Sequence, residues 1–247
     1  MKLALAAALS ALALAGGAQA QTAPPVGVTS EPCAARTPQN DWANVCKYRA
    51  ENAALPAPRA GQPRVVFMGD SITESWRGMD GAFFEQNGYV GRGISGQTTP
   101  QMLVRFMPDV IALKPAAVHI MAGTNDVAGN TGPTTLEAVQ NNIRAMATLA
   151  RAHGAKVILA SIPPALDFPW RKGMEPGPKV AALNAWLKAY AAREGFTYVD
   201  YWPAIATPGG DFKPGLASDG IHPTLAGYKA MEPLTQAAIA RALNSKR

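Results

Sequence analysis

The stretch Val65-Val66-Phe67-Met68-Gly69-Asp70-Ser71-Ile72-Thr73 decides how this chain is read. Four apolar residues predict a short buried strand, and the glycine after them lets the backbone turn sharply. The turn delivers an aspartate and then a serine to the end of that strand. In sheets flanked by helices, ligands bind at the carboxyl ends of the strands. Ser71 therefore stands where a nucleophile is useful. The same residues have a second reading, because Asp and Ser also cap helices and favour turns. The string alone leaves both readings open.

Outward from this stretch the chain alternates strand-like and helix-like segments. Apolar runs recur at residues 65–68, 89–90, 116–122, 156–162 and 196–201. Between them, Leu136, Val139, Ile143, Met146 and Ala150 fall at helical spacing, and Gly154 stops that helix. A second helix over residues 179–193 places Val180, Leu183, Trp186, Leu187 and Tyr190 on its apolar positions. A last helix follows Pro223, a residue suited to a first helical turn. Strands separated by helices of roughly 10–15 residues imply crossover connections and a parallel sheet. Right-handed crossovers put helices on both faces, which gives a three-layer α/β/α sandwich. Functional residues are then expected in the loops that follow the strands.

The N-terminus has a different character. Lys2 supplies a positive charge, residues 3–15 are an Ala/Leu run, and Ala18-Gln19-Ala20 has the small-x-small form of a signal-peptide cleavage site. The run is too short to span a bilayer. Cleavage after Ala20 is expected, with export to the periplasm or beyond the cell, and no transmembrane segment is predicted. What remains is long enough for one domain with a sizeable core. Residues 21–63 read as a leader. Asn40 or Asp41 caps a predicted helix that runs to about Ala54, with Trp42 and Val45 facing inward, and residues 56–63 link it to a domain over 64–247. The formal charge is +6, but the basic residues are scattered without a block or aromatic interleaving. A nucleic-acid partner therefore has no support. Cys33 and Cys46 are the only cysteines. In an exported chain an even pair this close predicts a disulfide, and the pair with three scattered histidines does not make a metal site.

Four loops carry residues suited to acyl transfer: Gly69-Asp70-Ser71, Arg92-Gly93-Ile94-Ser95-Gly96-Gln97-Thr98-Thr99, Gly123-Thr124-Asn125-Asp126, and Ser218-Asp219-Gly220-Ile221-His222-Pro223. A serine nucleophile needs a base within hydrogen-bond reach, the base needs an orienting partner, and the developing oxyanion needs fixed donors. His119 lies inside an apolar strand and reads as a core residue. His153 sits at a helix end, where a cation complements the dipole. His222 remains, with Asp219 three residues earlier, although Asp219 also fits a capping role. Gly93 can expose a backbone N–H without a side chain in the way, or be an ordinary turn glycine. Asn125 can aim an amide N–H at an oxyanion, or bond to its own backbone.

In this order, these four segments resemble the blocks of the SGNH (GDSL) hydrolases, named for Ser, Gly, Asn and His. Ser71, Gly93, Asn125 and His222 match those positions, and the resemblance covers residue 64 to the C-terminus. It implies a parallel, flavodoxin-like sheet, a Ser71 nucleophile, His222 as general base and Asp219 as its orienter. It also implies an oxyanion hole from the Ser71 and Gly93 N–H groups and the Asn125 side chain. Thr73 stands where a Gly-x-Ser-x-Gly elbow would have its final glycine, which argues against the ordinary α/β-hydrolase fold. The first block with Trp76, together with Gly123-Thr124-Asn125-Asp126, looks closest to platelet-activating-factor acetylhydrolase-like esterases and carbohydrate acetylesterases. The resemblance thus implies short-chain, acetyl-type ester hydrolysis without metal or organic cofactor. It also implies a small-molecule or carbohydrate ester as the substrate. Lysophospholipase or arylesterase activity, acyl transfer to a sugar, and carbohydrate binding without catalysis stay open. Trp76, and Phe168, Trp170 and Arg171 of the long loop at 163–178, are candidate substrate contacts. Packing of Trp170 onto the loop is the other reading. Oligomeric state is not legible.

Overall fold

The first strand, β1 (Val65–Gly69), has every residue buried. The computed structural model describes Cys33 and residues 40–59 and 61–245. Over these, β1 is followed in chain order by β2 (Tyr89–Gly93), β3 (Ala117–Met121), β4 (Lys156–Ala160) and β5 (Thr197–Val199). The sheet is wholly parallel, in the order β2-β1-β3-β4-β5. This is the flavodoxin-like order, whose chain reverses direction across the sheet between β1 and β3 and opens a crevice at their carboxyl ends. Ser71 follows β1 and Asn125 follows β3, so the topology aims both at that crevice.

The helices are α1 (Arg49–Ala54), α2 (Ser71–Met79), α3 (Gly81–Asn87), α4 (Thr99–Asp109) and α5 (Thr124–Val127). They continue with α6 (Leu136–Ala152), α7 (Gly177–Glu194), α8 (Trp202–Ile205) and α9 (Leu225–Asn244). Alternation along β1 feeds two cores. Val66 and Met68 pack with Phe106 of α4, Ile143 of α6 and Leu183 of α7. Val65 and Phe67 pack with Trp76 of α2, Phe84 of α3 and Met231 of α9. Burial of each such side chain contributes roughly 1.5–3 kcal/mol, so both faces hold the sheet that carries the loops. The expected α/β/α sandwich is what the chain adopts.

Residues 40–54 depart from the sequence reading. Helix forms only over Arg49–Ala54. Asn44 takes a left-handed backbone (φ +52°) that interrupts any earlier helix. The Asp41 carboxylate instead accepts from the N–H groups of Val45 (2.9 Å) and Cys46 (3.1 Å) in a turn. Trp42, expected to face inward, is exposed, while Ala43 and Tyr48 are buried. The last helix does follow Pro223, but that residue stands one position before the cap instead of in the first turn; Thr224 caps, its hydroxyl accepting from Gly227 N–H (3.2 Å).

Residues 40–59 belong to the same compact unit as the sheet. Glu51 pairs with the buried Arg92 at 2.8 Å, and Asn52 donates to Asp109 at 2.7 Å. Cys33 and Cys46 are disulfide-bonded. The expected signal segment, its cleavage site after Ala20 and, of the leader over 21–63, residues 21–32, 34–39 and 60 lie outside the described residues. Among those described, no helix is long and apolar enough to cross a membrane.

Candidate active site

Asp70 ends the turn after β1 and caps α2, its carboxylate accepting from Ile72 N–H at 3.0 Å. That leaves Ser71 as the first residue of the helix, where its own N–H has no carbonyl partner within α2. The Ser71 hydroxyl lies 2.9 Å from His222 Nε2. His222 Nδ1 lies 2.8 Å from Asp219 Oδ2. The other Asp219 oxygen accepts from the backbone N–H of His222 (2.8 Å) and Ile221 (3.0 Å). Gly220 takes a left-handed conformation (φ +81°) to close this turn, and the buried Ile221 pins it to the core. Burial pushes the Asp219 pKa up, but the hydrogen bonds from His222 and Ile221 outweigh it and hold the carboxyl below its ordinary range. An ionised Asp219 fixes the ring with Nδ1–H toward itself and leaves the Nε2 lone pair for the serine.

Gly93 ends β2 against the first turn of α2. A Cβ there would fall on the Glu74 backbone nitrogen and lie 2.6 Å from the Asp70 carbonyl oxygen. Only glycine permits this approach, which brings the Gly93 backbone beside Ser71. Tyr48 donates its hydroxyl to the Gly93 carbonyl, so the segment before β1 holds this position from outside. Asn125 is buried at the start of α5, which opens at Gly123 (φ +126°). Its Nδ2 donates to the Gln97 carbonyl (3.1 Å) and toward Asp70 Oδ2 (3.3 Å). Asp70 is fully buried, and burial pushes its pKa up to about 6.

The structure thus gathers Ser71, Asp219 and His222 into one hydrogen-bonded line and brings Gly93 and Asn125 to the first turn of α2. It treats the four candidate substrate contacts differently. Trp76 is fully buried, stacked between Phe83 (5.6 Å) and Tyr228 (5.3 Å). It has no surface to offer a substrate, because α9 packs over it. Phe168 is likewise fully buried, under Trp170 at 5.2 Å. Arg171 donates to the carbonyls of Ala128 (2.6 Å) and Gly129 (3.0 Å), strapping the long loop to the chain after α5. Trp170 is different. The residue is 46% exposed, and its ring stands 6.3 Å from the His222 ring.

Several residues that shape the site escaped the sequence reading. Tyr228 donates to the Ile72 carbonyl at 2.8 Å, tying α9 to the first turn of α2. Asp126 accepts from both the N–H (2.9 Å) and the hydroxyl (2.6 Å) of Thr99, locking α5 to the start of α4. Asn130 bonds Asn125 and Trp170. The pattern Thr98-x-x-Gln101 is a readable capping signal, and Thr98 N–H does donate to Gln101 Oε1 (3.0 Å). The partners across the crevice have no such local signature. A cavity of about 440 Å³ lies beside the site, bounded by Asn130, Thr135, Val139, Arg171 and Met174 rather than by Ser71 or His222.

Residues 67–230 match the model of the GDSL-like lipase/acylhydrolase family. The chain is 30% identical over 185 residues to the esterase TesA of Pseudomonas aeruginosa, covering 70% of this chain and 85% of that protein. A GDSL-like lipase from Bacteroides thetaiotaomicron is 47% identical, with a TM-score of 0.78 over 81% of this chain and 99% of its own. A catalytic mutant of an acetylxylan esterase from Geobacillus stearothermophilus, 22% identical, shares the fold, with a TM-score of 0.59 over 77% of this chain and all (100%) of its own.

Proposed function

The chain belongs to the GDSL-like lipase/acylhydrolase family and is a carboxylic ester hydrolase, and we propose that it is exported and cleaves short-chain, above all acetyl, esters of carbohydrates through a Ser71 acyl-enzyme. The observation that carries the mechanism is the unbroken line Ser71–His222–Asp219, at 2.9 and 2.8 Å. His222 Nε2 takes the Ser71 proton as Oγ attacks the ester carbonyl carbon. The negative charge gathers on the carbonyl oxygen, facing the N–H groups of Ser71 and Gly93 and the Asn125 amide. The Asn125 N–H directed at Asp70 is the longer of its two contacts, at 3.3 Å. It is therefore the one free to turn to the oxyanion. The C–O bond to the alcohol then breaks, and His222 returns its proton to the departing oxygen. Water, deprotonated by the same nitrogen, attacks the acyl-serine and releases the acid.

Two features support the carbohydrate acetyl reading. The Gly69-Asp70-Ser71 and Gly123-Thr124-Asn125-Asp126 blocks resemble those of acetylhydrolases and carbohydrate acetylesterases. The half-exposed Trp170 offers a flat apolar face whose ring stands 6.3 Å from that of His222, and such a face suits a sugar ring. Export is supported by the signal-like N-terminus and by the disulfide. The test is a hydrolysis panel of p-nitrophenyl esters from acetyl to palmitoyl, with acetylated xylo-oligosaccharides alongside. The expected result is kcat/KM falling at least about tenfold between acetyl and octanoyl, with acetate released from the oligosaccharides; a site that gains or loses one methylene contact at a time produces steps of this order. Rising kcat/KM with chain length overturns the acetyl reading and leaves the mechanism in place.

A further inference from the structure

We propose that Asn130 is a positioning residue for ester hydrolysis: it fixes which end of the Asn125 amide faces Ser71, and Trp170 in turn fixes Asn130. An asparagine amide has two orientations of nearly the same shape, and only its partners distinguish them. An indole N–H is a donor and nothing else. Trp170 Nε1 lies 3.1 Å from Asn130 Oδ1, so the oxygen of Asn130 must face Trp170 and its nitrogen must face the other way. That nitrogen lies 2.6 Å from Asn125 Oδ1. The Asn125 oxygen is therefore turned toward Asn130, and its nitrogen toward Gln97 O and Asp70 Oδ2, both acceptors.

The polarity of the chain Trp170–Asn130–Asn125–Gln97 is thus set at both ends by groups that cannot reverse, an indole N–H and a backbone carbonyl. A backbone bond from Asn130 N–H to the Asn125 carbonyl (3.0 Å) closes the turn that holds the two side chains together. This arrangement matters at the moment of reaction. When an oxyanion draws the Asn125 N–H away from Asp70, that end of the amide loses one acceptor. The bond from Asn130 to Oδ1, with the Gln97 carbonyl still accepting from Nδ2, then keeps the oxygen of Asn125 out of the hole. It also draws electron density toward Oδ1, which makes the Nδ2 hydrogens better donors. Because the relay starts on Trp170, the loop after β4 that stands beside His222 is coupled to the oxyanion donor on the far side of the crevice.

The inference rests on the reading of Asn125 as an oxyanion donor, and the test separates the two. Asn130→Asp has the same shape and still accepts from Trp170, but its carboxylate presents an acceptor to Asn125 Oδ1. Its expected effect is a 10- to 100-fold fall in kcat, the range for one misdirected buried hydrogen bond, with KM for p-nitrophenyl acetate within about twofold of the parent. The loss relative to the parent should shrink as pH is lowered, because a protonated carboxyl donates again. Asn125→Ala should lose about 10²–10³-fold. In the Asn125→Ala background, Asn130→Asp should cost less than about twofold more, since nothing is left to position. Trp170→Phe, which keeps the ring on Phe168 and removes the N–H, should lower kcat severalfold and stands in if Asn130→Asp does not fold. Unchanged kcat in folded Asn130→Asp, or in folded Trp170→Phe where that variant stands in, overturns the positioning role if Asn125→Ala is impaired. Full additivity of Asn125→Ala and Asn130→Asp also overturns it. An Asn125→Ala variant with parental kcat overturns the oxyanion reading itself, and the relay with it.

Discussion

Ser71 Oγ and His222 Nε2 belong to residues 151 positions apart, so their 2.9 Å contact depends on side chains that react with nothing. Tyr228 is the clearest of these. It is fully buried, stacks on Trp76 and donates to the Ile72 carbonyl next to Ser71. Trp76 thus supports the site from beneath instead of touching substrate. Tyr228→Phe keeps the stacking and removes one hydrogen bond, which should lower stability by about 1 kcal/mol. The check is the urea midpoint at unchanged slope, with kcat measured on the same preparation; an unchanged midpoint denies Tyr228 this role. The sequence allowed Ser71, His222 and Asp219 to be singled out because only one histidine lay in a loop with a nearby carboxylate. Asn130 and Tyr228 could not be singled out. Their importance lies in partners contributed by distant segments, and an Asn in a turn or a Tyr in a helix has many ordinary uses.

At the level of elements, the strands were the most legible part of the chain. Strands of a parallel sheet covered on both faces read as unbroken apolar runs, and all five runs became strands. The helix expected over 40–54 was not legible, because left-handed Asn44 and the Asp41 turn override a pattern that looks helical. β3 carries a further consequence. His119 is fully buried within it, bonded to the Tyr201 hydroxyl at 2.8 Å, and burial pushes its pKa down to about 3 from 6.5. Below pH 6.5 the unfolded chain takes up a proton that the folded strand refuses. His119 therefore contributes stability above that pH and loses it progressively as the pH falls toward 3. Asp70, raised to about 6 from 3.8, works in the opposite direction: its burdensome charge is relieved as the pH falls through that interval. Comparing the parent with His119→Gln isolates the histidine. The parent should lose stability relative to the variant between pH 6.5 and 4 in urea unfolding, and parallel profiles would show that His119 titrates alike in both states.

For the molecule as a whole, the strand order explains why four short loops, scattered from residue 69 to residue 222, meet in one place. β1 and β3 open the crevice, β2 supplies Gly93 at its rim, and the turn before α9 returns His222 and Asp219 to it. The joint pattern of the loops was legible as a family resemblance, whereas the wall of the crevice, with Trp170 exposed and Phe168 and Trp76 buried, required the packed structure. The central claim is that Ser71 is the nucleophile of an acyl-enzyme. It is tested most directly by treating the protein with a fluorophosphonate and locating the adduct by peptide mass mapping, in the parent, Ser71→Ala and His222→Ala. One adduct per chain is expected, on Ser71, formed as p-nitrophenyl acetate hydrolysis disappears. Ser71→Ala should show no adduct and no hydrolysis, and labelling should slow by about 10³-fold or more in His222→Ala. An adduct on another residue, or parental hydrolysis by Ser71→Ala, would contradict that claim.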